Sequence, residues 1–152
     1  MRIRGFLSRR FEPPAPLIEA SIYLPSMGER QLILLIDTGA SATTILDSDA
    51  GRFGITLEYA RENLRPAPRK VLGIGGVAET YMIEGAELTL TQEDGLEVGE
   101  ALDLYIVLHD PETLSDEVRG LILRLPSLLG RDLINRYRLY IDAGRDEVYL
   151  ER

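Results

Sequence analysis

Short runs of alternating hydrophobic and polar residues make up most of the chain, and turn-forming residues separate them. Residues 17–24 alternate with a period of two, and a Pro-Ser-Met-Gly sequence typical of a turn follows at residues 25–28. Residues 31–36 are almost entirely aliphatic, which is typical of a strand buried on both faces. The pattern therefore predicts a hairpin over these two segments.

The rest of the chain predicts more short strands and little helix. Short helices are expected over residues 47–53, with Gly54 at the C-terminal end, and within residues 128–137. Residues 59–70 are interpreted as a loop or edge strand, and residues 110–126 as an irregular connection with one helical turn after Ser115. Further strands are predicted at residues 81–91, 101–108, 138–141 and 147–150, and on both sides of the glycine-rich tip at 71–77. This pattern predicts an all-β domain, barrel-like or sandwich-like.

Length and charge restrict the number of domains and the kind of partner. A chain of 152 residues with 45% hydrophobic residues is expected to form one domain with a real core. Its net charge of −8 argues against nucleic acid as the main partner. Residues 1–16 are locally basic and end in a proline-rich stretch. They are interpreted as an extended, solvated arm that precedes a domain over residues 17–152.

Some sites and locations are not expected from the sequence. The chain has no cysteine, so it can form neither a disulfide nor a thiolate metal site, and no metal or cofactor is expected. The first residues lack the continuous apolar run of a signal peptide. The longest purely aliphatic run, residues 32–36, is far too short to span a bilayer. We therefore expect a soluble, cytoplasmic protein without a membrane partner.

Three separated segments carry the candidate chemistry. In the first, a carboxylate stands where a buried strand ends, and a glycine two residues later permits a tight turn beside it. The second is a glycine-rich hairpin tip, and the third is a Gly-Arg-Asp sequence that precedes the last strands. In chain order the segments are Asp37-Thr38-Gly39-Ala40-Ser41, Gly73-Ile74-Gly75-Gly76 and Leu128-Leu129-Gly130-Arg131-Asp132.

In this order the three segments resemble the retropepsin family, the single-domain relatives of retroviral proteases. The resemblance covers roughly residues 17–151. It implies a closed barrel of short strands with a flap hairpin and one or two short helices. It also implies an aspartic endopeptidase that hydrolyses a peptide or protein substrate.

The resemblance implies a role for each segment. Asp37 would be the catalytic carboxylate, supported by Thr38, Gly39 and Ala40, with Thr38 bonding across a dimer. The flap that closes over the substrate would consist of Gly73, Ile74, Gly75 and Gly76. Structural roles would fall to Gly130, Arg131 and Asp132. Of these, Arg131 would anchor the active-site region by ion pairing, while Asp132 could instead stabilise a helix N-terminus.

A single chain carries one Asp-Thr-Gly sequence, so the resemblance implies a homodimer. Two carboxylates brought within about 3 Å cannot both ionise and therefore share one proton. The triplet at residues 142–144 lacks the threonine, and a hairpin turn is expected there. The two Asp37 residues would therefore meet on a two-fold axis.

Two other functions fit part of the pattern. A catalytically inactive dimeric module of the same fold could bind an extended peptide in the same groove. The sequence from Ile36 to Ser41 also resembles the first phosphate loop of actin-like ATPases, but those proteins need two α/β domains and a far longer chain. The intact Asp37-Thr38-Gly39 sequence favours the enzyme. The only histidine, His109, is expected to lie in a loop and to have a structural role or to face solvent.

Overall fold

The structure is a computed structural model that describes residues 1–68 and 78–152. These residues form strands of two to fourteen residues, joined by turns and by four short α-helices. Two strands, of 14 and 13 residues, are longer than the short strands expected. The helices are α1 (Asp47–Arg52), α2 (Leu57–Asn63), α3 (Asp116–Ile122) and α4 (Arg131–Ile134), and Pro111–Thr113 is a single 3-10 turn. The strands are β1 (Arg2–Arg4), β2 (Phe6–Ser8), β3 (Ala15–Leu24), β4 (Gly28–Ile36), β5 (Thr44–Ile45), β6 (Arg65–Pro66), β7 (Ala78–Thr91), β8 (Glu97–His109), β9 (Ser127–Leu129), β10 (Arg138–Asp142) and β11 (Glu147–Glu151).

The main sheet closes on itself. This confirms the all-β prediction and shows that the domain is barrel-like and not sandwich-like. Its eight strands follow the order β2-β3-β4-β9-β5-β8-β7-β6, and β3 pairs with β7 as well as with β4. This extra pairing joins the two sides of the sheet in a ring. The ring of β3, β4, β9, β5, β8 and β7 encloses one hydrophobic core, and β2 and β6 lie outside the ring as short edge strands. A second sheet of three strands, in the order β1-β11-β10, lies at the chain ends.

The predicted first hairpin is formed by β3 and β4. The two strands pair antiparallel from Leu17 opposite Leu35 to Leu24 opposite Gly28. The turn between them uses positive φ angles at Ser26 and Gly28, and glycine adopts such an angle without steric cost. Ile33 on β4 is 47% exposed, so this strand is buried on one face and not on both as predicted. The inward-facing aliphatic residues of both strands, including Ile22 and Leu34, are fully buried in the core. Burial of these side chains holds the carboxyl end of β4 in place.

The parallel pairing of β4 with β9 positions the candidate site. Leu34, Leu35 and Ile36 lie opposite Ser127, Leu128 and Leu129. The strand β5 pairs with the other edge of β9, where Thr44 lies opposite Leu128. The chain segments that follow β4 and β9 therefore leave the barrel side by side. These are the Asp37 segment and the Gly130 segment.

The basic N-terminal segment folds onto the domain instead of extending into solvent. β1 pairs with β11, and β2 pairs with the start of β3. Ile3 is almost fully buried, while Arg2 and Arg4 pair with Glu151 and Glu93. An alternating Arg-Ile-Arg sequence fits a strand whose one apolar side chain faces the core. The interpretation of this segment as a solvated arm was therefore wrong for residues 2–8.

Two other local predictions differ from the structure. Residues 57–63 form α2, which begins at Thr56, whose side-chain oxygen accepts a hydrogen bond from the Tyr59 N–H, although this segment was interpreted as a loop or edge strand. His109 is the last residue of β8 and is buried, although a loop was expected. No helix in the described part of the chain is long and apolar enough to cross a membrane.

Candidate active site

Asp37 is the first residue after β4, and the turn that follows holds its carboxylate in place. The Asp37 N–H donates to the Leu129 carbonyl at 3.0 Å, which continues the pairing of β4 with β9 by one residue. The Gly39 N–H donates to Asp37 Oδ1 at 2.8 Å, and the Ala40 N–H donates to the Asp37 carbonyl at 3.2 Å. Asp37 remains partly exposed, so its second carboxylate oxygen is available to a ligand or a second carboxylate.

Gly39 lies close to the carboxylate because it has no side chain. A Cβ atom built at this position would lie 3.1 Å from Asp37 Oδ1, closer than most side chains tolerate. The glycine therefore lets the backbone N–H approach the carboxylate directly. A hydrogen bond to an ionised acceptor is stronger than one between neutral groups, so this contact favours a fixed carboxylate orientation.

Arg131 connects the segment after β9 to the Asp37 turn. Its backbone N–H donates to the Ala40 carbonyl at 2.9 Å. Its guanidinium Nη1 donates to the Thr38 carbonyl at 2.8 Å. Arg131 thus holds the turn through two carbonyl oxygens, and the ion pair expected for it is absent from the described residues. The anchoring position is as expected, but the contacts are hydrogen bonds to the backbone.

Asp132 anchors the segment that follows the Asp37 turn. Its carboxylate accepts from the Thr43 N–H at 2.9 Å and from Thr43 Oγ1 at 2.7 Å. Thr43 is fully buried, and its Oγ1 accepts a hydrogen bond from the Gly130 N–H at 3.1 Å. Because hydrogen bonds to an ionised acceptor are strong, the pair holds the start of β5 against α4. Sequence reasoning missed Thr43, since nothing local marks a threonine as the partner of a residue 89 positions away.

Gly130 permits the two segments to cross at close range. A Cβ atom at this position would lie 2.3 Å from the Ala42 carbonyl carbon and 2.7 Å from the Thr43 nitrogen. Both are backbone atoms of a buried segment, so neither can move aside without displacing β5. The absence of a side chain at residue 130 is therefore a condition for this site.

The fold of the chain is similar to those of several solved structures. A retropepsin-like aspartic protease from Rickettsia conorii matches with a TM-score of 0.56 and 21% identity, over 99% of this chain and 89% of that chain. The EIAV protease in complex with the inhibitor HBY-793 matches with a TM-score of 0.40 and 18% identity, over 80% of this chain and 86% of that chain. The retroviral protease-like domain of Ddi1 from Leishmania major matches with a TM-score of 0.44 and 13% identity, over 88% of this chain and 93% of that chain. No protein-family model and no curated protein matches the chain.

The match to the Rickettsia structure spans nearly all of the present chain, including the closed sheet and the segments after β4 and β9. The chain has a retropepsin-like fold. This agrees with the family resemblance of the three sequence motifs. At this level of identity the comparison establishes the fold, and the chemistry depends on the residues of the site.

Within this retropepsin-like fold, the structure brings together two of the three predicted segments. The Asp37 turn, with Thr38 and Gly39 exposed at its tip, lies against Gly130, Arg131 and Asp132. The third segment, Gly73, Ile74, Gly75 and Gly76, lies outside the described residues, so its expected role as a flap stays a prediction.

Two other Asp-x-Gly triplets have local structural partners. Asp142 lies at the end of β10, and its Oδ1 accepts from the N–H groups of Gly144 and Arg145 at 2.9 and 3.1 Å, which is the expected hairpin turn. Asp49 lies in α1, and its Oδ2 accepts from the buried Ser127 hydroxyl at 2.6 Å. Only the Asp37 triplet combines a threonine with a position at the end of a buried strand.

The described residues contain no group of three or more His, Asp or Glu side chains that could hold a metal ion. Arg131 binds the Asp37 turn through the Thr38 carbonyl. The arrangement presents one oriented, partly exposed carboxylate per chain. One such group can act as a general base or acid, and two of them can divide these roles.

Proposed function

We propose that this chain is an aspartic endopeptidase that works as a homodimer, with one Asp37 from each subunit in a shared site. The observation that supports this is the Asp37 turn itself. It combines a partly exposed carboxylate at the end of a buried strand, a Gly39 N–H at 2.8 Å from Oδ1, and bracing by Arg131 through the Thr38 carbonyl. The retropepsin-like fold provides the context in which this geometry serves peptide hydrolysis.

The proposed reaction needs two carboxylates that share one proton. When two such groups lie about 3 Å apart, repulsion prevents both from ionising, and the pair titrates as a unit. The ionised member takes a proton from a water molecule as that water attacks the peptide carbonyl carbon. The protonated member donates its proton to the carbonyl oxygen, which gives a tetrahedral diol. When the C–N bond breaks, the member that took the proton from water gives it to the leaving nitrogen, and the other member regains a proton from a hydroxyl of the diol.

The second carboxylate in this proposal comes from a second copy of the chain. The sequence holds one Asp-Thr-Gly, and the Asp142 and Asp49 carboxylates are occupied by the hairpin turn and by Ser127. A two-fold axis through the site brings identical turns together, because the same surface of each subunit then faces its own copy. Thr38 is exposed at the tip of the turn, where it can contact its counterpart.

Replacement of Asp37 by asparagine tests the proposal. Wild-type protein and Asp37→Asn are incubated with a peptide library between about pH 4 and pH 7.5, which spans mildly acidic to near-neutral conditions for acid–base catalysis, and mass spectrometry identifies cleavage sites. Asp94→Asn is a matched control, since Asp94 Oδ1 accepts a hydrogen bond from the N–H two residues ahead, as Asp37 Oδ1 does. The asparagine side chain still has an Oδ1 that can accept this hydrogen bond. Both substitutions therefore remove one negative charge and leave the same local turn in place.

We expect cleavage by wild type and by Asp94→Asn, and none by Asp37→Asn. Cleavage that persists in Asp37→Asn would show that another group carries the activity. If no variant cleaves any peptide although wild type is dimeric, the result favours the inactive peptide-binding module. In that case wild type and Asp37→Asn are expected to bind an extended peptide with similar affinity.

A further inference from the structure

A second cleft lies on the outer face of the barrel, between the N-terminal segment and the residues that precede β9. Its volume is about 690 Å³, which is within the range of sites that hold a small molecule. The wall is formed by β2, by the loop that follows β2, by β3 and β4, and by residues 124–126. None of the lining residues belongs to the Asp37 turn or to the Gly130–Asp132 segment.

Most of the wall of this cleft is apolar, and part of that apolar surface is open to solvent. Phe6 on β2 is 39% exposed, and Ile33 on β4 is 47% exposed. Phe11, Leu17 and Pro126 continue the same surface. Neighbouring apolar side chains that stay exposed and have polar groups at their margin indicate a binding site.

The charged side chains on the wall are both arginines, and neither is neutralised by an acidic residue. Arg10 and Arg124 are exposed, and neither forms an ion pair with a carboxylate in the described part of the chain. The lining includes no Asp or Glu. Arginine stays protonated in proteins, so this positive charge does not depend on a protonation state. On a chain with a net charge of −8, the cleft is therefore a local site for an anion.

Ser8 adds a buried hydroxyl to the same wall. Ser8 alternates with Leu7 along β2, so Phe6 and Ser8 face the cleft while Leu7 packs against the core. Ser8 is 9% exposed, and its Oγ accepts a hydrogen bond from the Arg10 N–H at 3.4 Å. A hydroxyl can accept and donate at once. Since no acceptor for the Ser8 proton occurs among the described residues, the hydroxyl can donate to a bound anion.

We propose that this cleft binds a small molecule with an apolar body and one carboxylate. The carboxylate accepts hydrogen bonds from the guanidinium groups of Arg10 and Arg124 and from the Ser8 hydroxyl, and the body packs against the apolar wall. A guanidinium group presents paired N–H donors that match the two oxygens of a carboxylate. A single charge is favoured over the double charge of a phosphate ester, because the negative chain repels each added charge. The site does not depend on the proposed peptide hydrolysis.

Two matched probes test the charge requirement in the wild-type protein. 4-Phenylbutanoate carries the carboxylate, and 4-phenylbutanamide has the same apolar body with a neutral head group. Each probe is titrated into protein labelled with ¹⁵N while the backbone amide resonances are recorded. We expect 4-phenylbutanoate to saturate with a dissociation constant on the order of 1 mM, as ordinary ligand efficiency allows for so small a molecule. The largest shifts are expected in residues 6–11 and 124–126.

4-Phenylbutanamide is expected to bind at least about tenfold more weakly, because it offers no charge to the guanidinium groups. Equal binding of both probes would overturn the role of the arginines. Tighter binding of 3-phenylpropyl phosphate would overturn the preference for a carboxylate. Absence of saturable binding by 4-phenylbutanoate and by octanoate would overturn the site itself. Binding of an acetylated Glu-Phe-Glu peptide amide in place of both free acids would make the cleft a peptide site and contradict the proposal.

Charge variants then locate the binding. Arg10→Gln and Arg124→Gln are each expected to weaken binding of 4-phenylbutanoate at least about fivefold and to leave binding of the amide unchanged. Ser8→Ala is expected to weaken it about threefold, through the loss of one hydrogen bond. Arg138→Gln is the matched control, since Arg138 on β10 is exposed and does not line the cleft. Circular dichroism verifies that all variants are folded. An equal loss in Arg138→Gln, or undiminished binding in both cleft arginine variants, contradicts the assignment.

Discussion

At the scale of single residues, Gly130 is the position where the site tolerates least change. Alanine at this position would bring Cβ within 2.3–2.7 Å of backbone atoms of Ala42 and Thr43. These atoms belong to the buried segment that leads into β5, so strain rather than local relaxation is expected. We predict that Gly130→Ala lowers the free energy of unfolding by about 1–3 kcal/mol or more, measured by urea denaturation.

Gly120 provides a control of opposite sign for this prediction. It lies inside α3, and a Cβ atom there would meet no other atom within 4 Å. Alanine restricts the unfolded chain and favours helix, so Gly120→Ala is expected to raise stability by about 0.5–1 kcal/mol. A destabilisation of equal size in both variants would contradict the assignment of strain to residue 130.

At the scale of elements, the contact between α4 and β5 depends on one buried hydroxyl and one carboxylate. Thr43→Val keeps the shape of the side chain but removes the donor to Asp132 and the acceptor for the Gly130 N–H. We predict a loss of about 1–3 kcal/mol, because buried polar partners are left unpaired. A double-mutant cycle with Asp132→Ala is expected to give a coupling energy of at least about 0.5 kcal/mol.

Additive losses in that cycle would show that the two residues stabilise the protein independently. In that case Asp132 would act only on the N-terminus of α4, as the sequence also allowed. The cycle therefore separates the two roles considered for Asp132, one across the site and one within its own helix.

The elements that the sequence predicted are those with a strong local pattern. β3 and β4 follow from alternation and from an aliphatic run, and α1 ends before Gly54, whose φ is positive. The sequence does not predict α2, because Pro66 and Pro68 follow within the same charged segment and argue against a helix there. In the structure α2 ends at Asn63, before both prolines, and proline commonly follows the end of a helix.

The candidate site could be predicted from the sequence only where the residues that contact one another are also close together in the chain. Asp37, Thr38 and Gly39 are adjacent, so the turn and its carboxylate can be inferred together. The contacts of Arg131 with Thr38 and of Asp132 with Thr43 join residues 93 and 89 positions apart. Such pairs depend on the pairing of β4, β5 and β9, which no local periodicity specifies.

At the scale of the whole molecule, a buried glutamate connects the two sheets. Glu100 on β8 is 7% exposed and accepts hydrogen bonds from Arg136 and Arg152 at 2.7 Å and from the Tyr137 hydroxyl. Arg136 and Tyr137 precede β10, and Arg152 follows β11, so this one carboxylate joins both ends of the β10–β11 hairpin to β8. Burial, together with the hydrogen bond to Glu100, raises the pKa of Tyr137 to about 12.

The network predicts a loss of stability in acid. Burial opposes ionisation of Glu100, but the hydrogen bonds from Tyr137 and Arg136 and the charge of Arg152 outweigh it, so the pKa of Glu100 lies below its usual value. The unfolded chain then binds more protons than the folded chain in the range between the lowered pKa and the ordinary value of about 4.3. The stabilisation is complete above that range and is lost as the pH falls through the lowered pKa.

Urea denaturation of wild type and Glu100→Gln between about pH 6 and pH 3, which spans the ordinary glutamate pKa, checks this expectation. The difference in unfolding free energy between them is expected to narrow as the pH falls. Glu97→Gln, which removes a negative charge from the exposed start of the same strand, is the matched control. Equal narrowing in the control would indicate a general charge effect, and a constant difference for Glu100→Gln would contradict the role of the network.

The proposed shared site makes a quantitative prediction for mixed subunits. Equal amounts of wild type and Asp37→Asn, exchanged to equilibrium, give about one quarter wild-type dimers and about one half mixed dimers. If the site needs two Asp37 carboxylates, mixed dimers are inactive, and activity falls to about one quarter of that of wild type at the same total concentration. If each subunit works alone, half of the activity remains. Native mass spectrometry of a tagged variant verifies exchange, and mixing with Asp94→Asn is expected to leave activity unchanged.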